Sequence, residues 1–476
     1  MATISLTDYE RKRLENIKRN EELLASLNIK SKLSDLSASF KRHRVEASSY
    51  KISSDKKLES ETPIVIRKSL RIQGKAPESR GLKDDFKDNP KNSKTLKSQI
   101  IPNKSPRELG PISMRDFSTC SVSDELLVNK ILSVCKKSQF KEEDDNGDCV
   151  KKSRVRASNY LDSMQLAPEN IARVVPDRIS SVKFFPSEDM RMVVAGNIYG
   201  DVGFWNVDSD NEDGDGIYTY HPHSAPVSSI VIRPFSLNKI FTCCYDGRVR
   251  SLDIEKETFG LPYTTEHEIS SMSQRCDDVN SLYLGEGRGV VRVCDERSGK
   301  LSFSGDLHKE SINTIDFNSN NFNMMVTSST DHTACIWDLR KLGKCKPEPL
   351  KMITRKRPVY SAYFSPSGSL LTTTSVDDKV GVLSGANYDD DFMINHKIKS
   401  AGLSTLKGVW GWDDSYIFIG NLKRGVDVIS IEKKRIVTTL ESQHMSANPY
   451  RFDAHPLKPG VLAGATSGGQ VYVWSS

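Results

Sequence analysis

The residues of this chain do not follow the spacing of any common catalytic motif. The sequence contains no Gly-x-Ser-x-Gly turn for a nucleophile, no Gly-x-x-x-x-Gly-Lys loop for a phosphate and no His-Glu-x-x-His helix for a metal. The Gly-rich run at residues 285–289, GEGRG, stands between two strand-like segments and reads as a turn rather than a strand-to-helix phosphate loop. The sequence therefore predicts a binding protein and no enzyme.

Metal-ligating residues are equally sparse. The chain has 9 Cys, without a Cys-x-x-Cys pair, and two of them, Cys243 and Cys244, are adjacent. His221 and His223 share one loop, but no carboxylate or thiol accompanies them in the sequence, and such histidines are usually surface residues. We expect reduced thiols, no zinc site and no cofactor.

Charge divides the chain unevenly. Residues 1–165 hold 34 Lys and Arg against 24 Asp and Glu, so the remainder of the totals of 68 and 62 leaves 34 against 38. The first third is thus +10 and the rest is −4, and the first third is also poor in aromatic residues. Because such a segment buries too little apolar surface to offset its ordering entropy, residues 1–165 are predicted to be largely disordered.

One helix is expected within this basic region, at about residues 7–27. Thr7 to Glu10 read as a capping box, and Leu14, Ile17, Leu24 and Leu27 recur at helical spacing. The helix docks on a partner or on the main domain, or it stays solvated and frays; the sequence leaves these alternatives open. A polar N-terminus and no apolar run near 18 residues predict an intracellular chain without a membrane segment.

After Pro176 the sequence becomes a series of short strand-like runs separated by Gly, Asp and Asn turns, and it repeats. Seven segments share a turn followed by a strand: YGDVGFW, DGRVRSL, RGVVRVC, DHTACIW, DDKVGVL, RGVDVIS and GGQVYVW. The second residues of the turns are Gly200, Gly247, Gly289, His332, Asp378, Gly425 and Gly469. Their intervals are 47, 42, 43, 46, 47 and 44 residues, so the period is close to constant.

A repeat of this length with four short strands and a Trp-Asp end is typical of a WD40 propeller blade. We therefore predict an all-β fold, with a seven-bladed WD40 β-propeller over residues 166–476 and a monomeric chain. Residues 169–176 could supply the outer strand that closes the last blade. In the most regular copy, His308, Thr327 or Ser329, Asp331 and Trp337 are expected to form a buried hydrogen-bonded tetrad.

Basic residues recur in the segments that connect these strands. A basic rim on one propeller face would be suited to phosphate, although loop charges balanced by acidic neighbours such as Asp389 to Asp391 are the ordinary alternative. Spacing alone leaves nucleic acid and an acidic peptide as equal candidates. The candidate DNA-binding residues are Arg178, Lys309, Lys344, Arg355, Lys356, Arg357, His396, Lys397, Lys407, Lys423 and Arg424.

Several of these stretches resemble one family. The segments PDRISSVKFFP, LHKESINTIDFN, TDHTACIWDLRKLGK, RKRPVYSAYFSPSG and HKIKSAGLSTLKGVW are similar to the family of WD-repeat protein 76 and the damage-specific DNA-binding protein 2 propeller. The match covers essentially residues 170–476. The N-terminal YERKRLENIKRNEELLASLNI and RKSLRIQG resemble the fungal DNA damage-binding branch of this family.

This resemblance implies a nuclear, seven-bladed propeller that binds double- and single-stranded DNA, preferentially ultraviolet-damaged DNA, with the cytoplasm as a second location. The residues matched to phosphate contacts are Arg178, Lys309, Lys344, Arg355 to Arg357 and Lys407. Lesion readers of the family pry open a damaged step with a hairpin. The corresponding segment here, residues 387–404, lacks the family's aromatic-Gln-His wedge and offers Phe392, Met393, Ile394 and His396 instead.

A second function is also implied. Trp337, Asp338 and Arg340 match the Trp-Asp-x-Arg pattern of substrate receptors of cullin-RING ubiquitin ligases, in which the Arg contacts the adaptor from the opposite propeller face. The alternative to a DNA-binding protein is therefore a protein-interaction scaffold or ligase receptor. The partners considered besides DNA are histones, a chaperonin and the ligase adaptor.

Overall fold

The computed structural model describes residues 18–19, 110–119, 124–142, 158–209, 214–232, 237–343, 347–396 and 406–476. The chain divides into two compact units, Met1–Lys97 and Ser98–Ser476. In the first unit the description is confined to Lys18 and Arg19, which are helical. The rest of the helix predicted at residues 7–27 lies outside the described residues.

Seven antiparallel sheets, each built on four strands, form the second unit, which confirms the predicted propeller. Strands are numbered along the chain. Blade 1 consists of Ile179–Phe184 (β3), Met192–Asn197 (β4), Val202–Asn206 (β5) and Ile217–Tyr220 (β6). Blade 2 consists of Val227–Ile232 (β7), Lys239–Cys244 (β8), Arg248–Asp253 (β9) and Thr258–Thr264 (β10). Blade 3 consists of Ile269–Gln274 (β11), Ser281–Glu286 (β12), Val290–Asp295 (β13) and Leu301–Asp306 (β14).

The remaining blades repeat this order. Blade 4 consists of Ile312–Phe317 (β15), Met324–Ser329 (β16), Thr333–Asp338 (β17) and Lys351–Thr354 (β18). Blade 5 consists of Val359–Phe364 (β19), Leu371–Ser375 (β20), Lys379–Ser384 (β21) and Asp390–Asn395 (β22). Blade 6 consists of Val409–Trp410 (β23), Tyr416–Gly420 (β24), Val426–Ser430 (β25) and Arg435–Leu440 (β26). Blade 7 consists of Pro449–Ala454 (β27), Leu462–Thr466 (β28), Gln470–Trp474 (β29) and Ile171–Arg173 (β2).

The ring is closed by its two ends, as the sequence predicts. Strand β2 pairs antiparallel with β29, with Ile171 opposite Tyr472. Because β2 precedes blade 1 and completes blade 7, the first and last blades share one continuous stretch of chain. This closure leaves no unpaired blade end, which a propeller needs because each blade is too small to bury a core alone.

The first strands of neighbouring blades contact one another and surround the central channel. Four hydroxyl or amide side chains link them: Ser180, Ser228, Ser270 and Asn313 each donate to the backbone carbonyl that opens the next blade, at 2.6 to 2.8 Å. Since these carbonyls lie on the inner edge of each sheet, the bonds satisfy groups that have no strand partner there.

The turns between the second and third strands carry the repeat signal. Gly200, Gly247, Gly289 and Gly469 have positive φ, and so do His332 and Asp378. In blade 6 the residue with positive φ is Arg424, with φ 61°, so the prediction of Gly425 was one residue late. Asn421 accepts backbone N–H bonds from both Lys423 and Gly425, as Asn197 does from Tyr199 and Asp201 in blade 1, so the two turns have the same geometry and Arg424 occupies the position of Gly200.

A segment outside the repeats packs on blades 1 and 2. Ile112–Ser113 (β1) adds a fifth strand to blade 2 beside β10, and Met114–Phe117 (α1) follows it. Asp124–Glu142 (α2) buries four apolar side chains against the same blades: Leu127, Val128, Ile131 and Val134. The boundary predicted at residue 165 follows composition and does not anticipate these elements.

This segment joins the outer strands of two blades. The backbone N–H of Thr119 donates to Thr219 on β6 at 2.9 Å, and that of Met114 donates to Glu257, next to β10, at 2.8 Å. The hydroxyl of Tyr220 donates to Asp124 at the start of α2, at 2.9 Å. Residues 110–142 therefore act as a strap across the outside of the ring.

Two shorter helical turns precede the ring. They are Ser158–Leu161 (α3) and the 3-10 turn Pro168–Asn170. Leu161, Met164 and Leu166 pack on the apolar core of blades 6 and 7. Among the described helices, none is long and apolar enough to cross a membrane.

Candidate nucleic-acid interface

Blade 4 contains the predicted tetrad in full. The imidazole of His308 lies 3.0 Å from Asp331 through Nδ1 and 2.6 Å from the hydroxyl of Thr327 through Nε2. The indole N–H of Trp337 donates to the same hydroxyl at 2.8 Å. Every polar group is satisfied when Nδ1 carries the proton and Thr327 donates to Nε2. Thr327 rather than Ser329 is thus the hydroxyl of the tetrad.

The tetrad fixes one face of the propeller. Although burial raises the pKa of Asp331, hydrogen bonds from His308 and Thr333 and the backbone N–H of Lys309 hold it well below its usual value. Because Asp331 lies in the turn between β16 and β17 and His308 lies in the loop entering the blade, the bond pins these two loops together. The loops that enter the blades and the turns between second and third strands lie on this face, which is called the tetrad face below.

Blade 2 keeps a reduced form of the same network. His223 Nε2 lies 2.8 Å from the Thr242 hydroxyl, and Leu252 stands where the Trp would be. Cys244 and Asp246 are close enough to His223 to form a candidate metal group. Cys244 donates to the carbonyl of Ala225, as Ser329 donates to that of Glu310 in blade 4. The cluster is therefore explained by the repeat: Thr242 keeps the tetrad hydroxyl, Leu252 replaces the Trp, and Cys244 takes the place of Ser329 beside the tetrad.

Neither histidine of the His-Pro-His run is a surface residue, so that prediction was wrong. His221 is 4% and His223 is 0% exposed. His221 Nδ1 lies 2.5 Å from Asp201 in the turn of blade 1. Their burial follows from the propeller repeat, because the loop entering blade 2 places His221 against the turn of blade 1 and His223 against the turn of blade 2.

Arg355 and His396 were expected to contact phosphate, but both side chains are buried beside a carboxylate. The guanidinium of Arg355 is buried and binds both oxygens of Asp391, at 2.7 and 3.0 Å, as well as Thr373. His396 is 1% exposed and lies 3.0 Å from Asp427. Burial raises the pKa of Asp427, but hydrogen bonds from His396, Asn421 and Thr439 bring it below the usual value. Both side chains anchor loops of blades 5 and 6.

Five candidate cations are exposed on the loops of the tetrad face. Lys309 enters blade 4, Lys356 and Arg357 enter blade 5, and Lys423 and Arg424 form the turn of blade 6. The turn of blade 6 borders a shallow cleft with Glu441, Ser442, Gln443 and Met445. Lys344 and Lys397 lie outside the described residues.

Charge on this face is mixed. Blades 5 and 6 contribute four exposed cations, Lys356, Arg357, Lys423 and Arg424, but the turn of blade 5 also carries Asp377 and Asp378, and Glu441 lies beside the turn of blade 6. The loop entering blade 3 exposes Glu266 and Glu268, and the loop entering blade 4 exposes Glu310 beside Lys309. Blades 5 and 6 are therefore the consecutive pair of blades that offers an anion most of the candidate cations of this face.

The remaining two predicted residues lie at the inner rim of the face. Arg178 stacks on the ring of Tyr450 at 5.5 Å, and Arg451, which the sequence reasoning missed, stacks on it at 4.9 Å. The hydroxyl of Tyr450 donates to the carbonyl of Ile179 across the joint between blades 7 and 1. Lys407 extends from the first strand of blade 6 towards blade 4, where its Nζ donates to the carbonyl of Asn313 at 3.1 Å.

The segment expected to form a lesion-reading hairpin is partly a strand. Residues 390–395 form β22 and pair with β21, with Phe392 opposite Val382 and Ile394 opposite Val380. Lys434 lies over the Phe392 ring at 4.5 Å, and Ile394 is buried. Phe392 and Ile394 therefore do not offer a wedge, because they pack within the blade, whereas Met393, which alternates with them along the strand, is 37% exposed. Residues 397–405 lie outside the described part.

The Trp-Asp-x-Arg residues are at the opposite end of blade 4. Trp337 is buried in the tetrad, and Asp338 caps the 3-10 turn Leu339–Lys341 through the backbone N–H of Arg340. The guanidinium of Arg340 also binds both oxygens of Asp338, at 2.9 and 2.8 Å, while its side chain is 69% exposed. Arg340 is thus the member of the motif that a partner could reach.

Comparison with known proteins agrees with this architecture. The family model of the WD domain, G-beta repeat, matches residues 299–338, which span the end of blade 3 and most of blade 4. The chain is a WD40-repeat propeller. Its similarity to WD repeat-containing protein 76 and to fungal DNA damage-binding proteins, expected from the sequence, is also confirmed.

Three relatives illustrate this similarity over nearly the whole chain. DNA damage-binding protein CMR1 of Scheffersomyces stipitis is 28% identical, with 100% of both chains covered. WD repeat-containing protein 76 of Xenopus laevis is 26% identical over 98% of this chain and 80% of its own length. The protein of the same name from Mus musculus is 26% identical over 98% of this chain and 74% of its own length.

Proposed function

We propose that this propeller binds double- and single-stranded DNA through the basic loops of blades 5 and 6 and acts in DNA metabolism and the damage response in the nucleus. The observation that carries the proposal is the exposure of Lys356, Arg357, Lys423 and Arg424 on consecutive blades of one face. Within the described residues, none of the four forms an ion pair with a carboxylate. Unpaired cations on rigid loops are suited to a phosphate backbone.

The remaining candidate cations extend this interface. Lys309 continues the rim into blade 4, and Arg178 marks its inner edge. Arg355 and His396 support the proposal indirectly, because their buried pairs with Asp391 and Asp427 hold the loops that present Lys356, Arg357, Lys423 and Arg424. The basic region before residue 110 would add a salt-dependent contact.

A preference for ultraviolet-damaged DNA is part of the proposal. The fungal relatives are named DNA damage-binding proteins, which supports a preference for damaged DNA, and the family resemblance of the sequence suggests ultraviolet damage as its source. The described part of residues 387–404 is a blade strand, so the preference would depend on the deformability of a damaged step rather than on a wedge from β22. A damaged step bends at lower cost and lets the duplex follow the basic loops more closely.

The test is binding of the full chain to matched irradiated and non-irradiated duplexes over a salt series. Lys423→Glu should weaken DNA binding. It should also reduce the magnitude of the slope of log affinity against log salt concentration by about 0.9, the value for one phosphate contact. Lys433→Glu is the matched control, since Lys433 is exposed on the opposite face of the same blade. Equal losses in both variants would refute an interface on the tetrad face.

A second candidate function is supported by Arg340. Its exposed guanidinium is held rigidly by Asp338 on the face opposite the basic loops, so a ligase adaptor and DNA could bind at once. Arg340→Ala should abolish binding of the purified adaptor and leave DNA affinity unchanged. Unchanged adaptor binding would remove this candidate without affecting the first.

A further inference from the structure

Three cationic side chains on the innermost strands meet in the central channel. Arg451 stands opposite Ala465 in the register of blade 7, where the other blades have Ser181, Ser229, Ser271, Thr314 and Ser361. Continuing the pairing of Val409 with Phe418 back by two residues gives Lys407 the same position in blade 6. Two neighbouring blades thus replace a small hydroxyl with a cation, and Lys183 of blade 1 joins them.

Two carboxylates lie beside Lys183 in this cluster. Asp453 binds Lys183 at 2.7 Å and also accepts the backbone N–H of Phe184 at 2.8 Å. Asp316 accepts the backbone N–H of Phe364 at 2.8 Å, and burial raises its pKa to about 6. Asp453 therefore offsets Lys183, and neither carboxylate forms an ion pair with Lys407.

Lys407 is the cation without a carboxylate. Its contact is the carbonyl oxygen of Asn313 at 3.1 Å, and no carboxylate of the described residues forms an ion pair with it. Burial, followed by repulsion from Arg451 and Lys183, lowers its pKa to about 7. An ammonium group enclosed with two other cations is costly unless an anion accompanies it. The phenol of Tyr363 is a further titratable group of the cluster, near Lys183 and Asp316, and burial raises the pKa of this phenol to about 12.

The channel nevertheless has room for a polar guest. Blades 1, 4, 5 and 7 all contribute charged or phenolic groups around Lys183, yet its side chain is 48% exposed. This exposure indicates that the space around Lys183 is filled with solvent rather than packed. Arg178 and Tyr450 stand at its mouth. A group entering from the tetrad face would pass these residues before it reached Lys407.

We propose that the channel between Lys183, Lys407 and Arg451 is a binding site for a phosphate group. A tetrahedral dianion would give Lys407 a negative partner, which it lacks among the described residues, and offers several acceptor oxygens to ammonium and guanidinium donors at once. The site goes beyond the proposed DNA contacts of blades 5 and 6 and stands whether or not those contacts form. Its occupant is a DNA phosphate that reaches the channel mouth, or a small free phosphate compound.

Sulfate and inorganic phosphate are the probes. Sulfate is a tetrahedral dianion that does not titrate near neutral pH, so calorimetry of the full chain at about pH 7.5 in two buffers of different ionisation enthalpy reports protons taken up by the protein. Sulfate should bind with proton uptake, because an anion restores the pKa of Lys407, and inorganic phosphate should displace it. Binding without proton uptake, or no binding, would overturn the proposal.

Variants assign the effect to the channel. Lys407→Met should weaken sulfate binding at least about tenfold and remove the proton uptake, whereas Lys423→Met on the exposed loop should change it less than about twofold. Lys407→Gln gives a second, polar replacement if the methionine variant is poorly folded. Sulfate binding by folded Lys407→Gln with wild-type affinity and proton uptake would show that the site is elsewhere.

A competition experiment distinguishes the two sources. If a duplex displaces sulfate from the wild type, a DNA phosphate occupies the channel; if both bind together, the occupant is a free phosphate compound, and either result supports the site. Lys423→Glu keeps the two proposals separate. If Lys423→Glu loses DNA binding and keeps sulfate binding, the loops bind DNA independently of the channel. If Lys407→Met loses sulfate binding and keeps DNA binding, the channel binds sulfate independently of the loops.

Discussion

The ammonium group of Lys407 donates to the carbonyl oxygen of Asn313 at 3.1 Å, which links the first strand of blade 6 to that of blade 4 past blade 5. This contact places a charge inside the ring where Ser or Thr stands in five other blades. The first strands of blades 1 to 5 are connected by the uncharged side chains of Ser180, Ser228, Ser270 and Asn313, so a blade joint does not in itself require a cation. The proposed binding site gives Lys407 a role that these joints do not.

Replacing Lys407 by Met should stabilise the protein, and the gain should depend on pH. The pKa of Lys407 falls from 10.5 in the unfolded chain to about 7 in the folded one. Below about pH 7 Lys407 is charged in both the folded and the unfolded chain, so the folded state carries the full cost of burying the charge. Between the folded and the unfolded pKa the ammonium group keeps its proton mainly in the unfolded chain, so the stability of the folded state rises with pH. Melting temperatures should thus show the largest gain for Lys407→Met near pH 6, declining towards pH 10.

Lys423→Met is the control for this measurement. Its ammonium group is exposed in the turn of blade 6, so the variant should show the same pH dependence as the wild type. A gain for Lys407→Met that stays constant from about pH 6 to about pH 10 would contradict the proposed charge cost.

The tetrad predicts unequal effects of one substitution in two blades. Thr327→Val removes the partner of both Trp337 Nε1 and His308 Nε2, so it should cost about 2–5 kcal/mol of unfolding free energy. Thr242→Val in blade 2 removes the partner of His223 Nε2, with Leu252 in place of the Trp, and should cost about half as much. Denaturant unfolding measures both, and equal costs would show that the indole bond contributes nothing.

The strap of residues 110–142 should contribute to the stability of the ring. Ile131→Ala on α2 removes a side chain that is fully buried among residues of blades 1 and 2, so we expect a loss of about 2–4 kcal/mol. Leu126→Ala on the same helix is the control, because Leu126 is 37% exposed. If chemical denaturation of the full chain finds the same small loss for both, α2 does not stabilise the propeller.

Repetition made most of the fold predictable. The turns at Gly200, Gly247, Gly289, His332, Asp378 and Gly469 were located by period, and their positive φ explains why Gly or a turn-forming polar residue stands there. The tetrad of blade 4 could be predicted from the sequence because this blade keeps both Trp337 and His308. In blade 6 the alignment on Gly425 was one residue late, because Arg424, and not a Gly, occupies the position of positive φ that Gly200 has in blade 1.

The strap and the channel could not be predicted in the same way. Leu127, Ile131 and Val134 repeat at helical spacing, but they belong to a basic segment whose average composition predicted disorder. Arg451 and Lys183 are ordinary charged residues in the sequence, and only the ring brings them to Lys407. Arg355 and His396 were identified as cations, yet their acceptors Asp391 and Asp427 are distant enough in sequence that the pairing was not visible.

Mapping the DNA contacts directly tests the central proposal. The full chain would be photo-crosslinked to a duplex and the linked peptides identified by mass spectrometry. We predict crosslinks in the peptides that contain Lys356 and Arg357 and in those that contain Lys423 and Arg424, and none in the peptide containing Lys433. Crosslinks confined to residues 1–97, or to the face that carries Arg340, would contradict the assignment of DNA to the basic loops of blades 5 and 6.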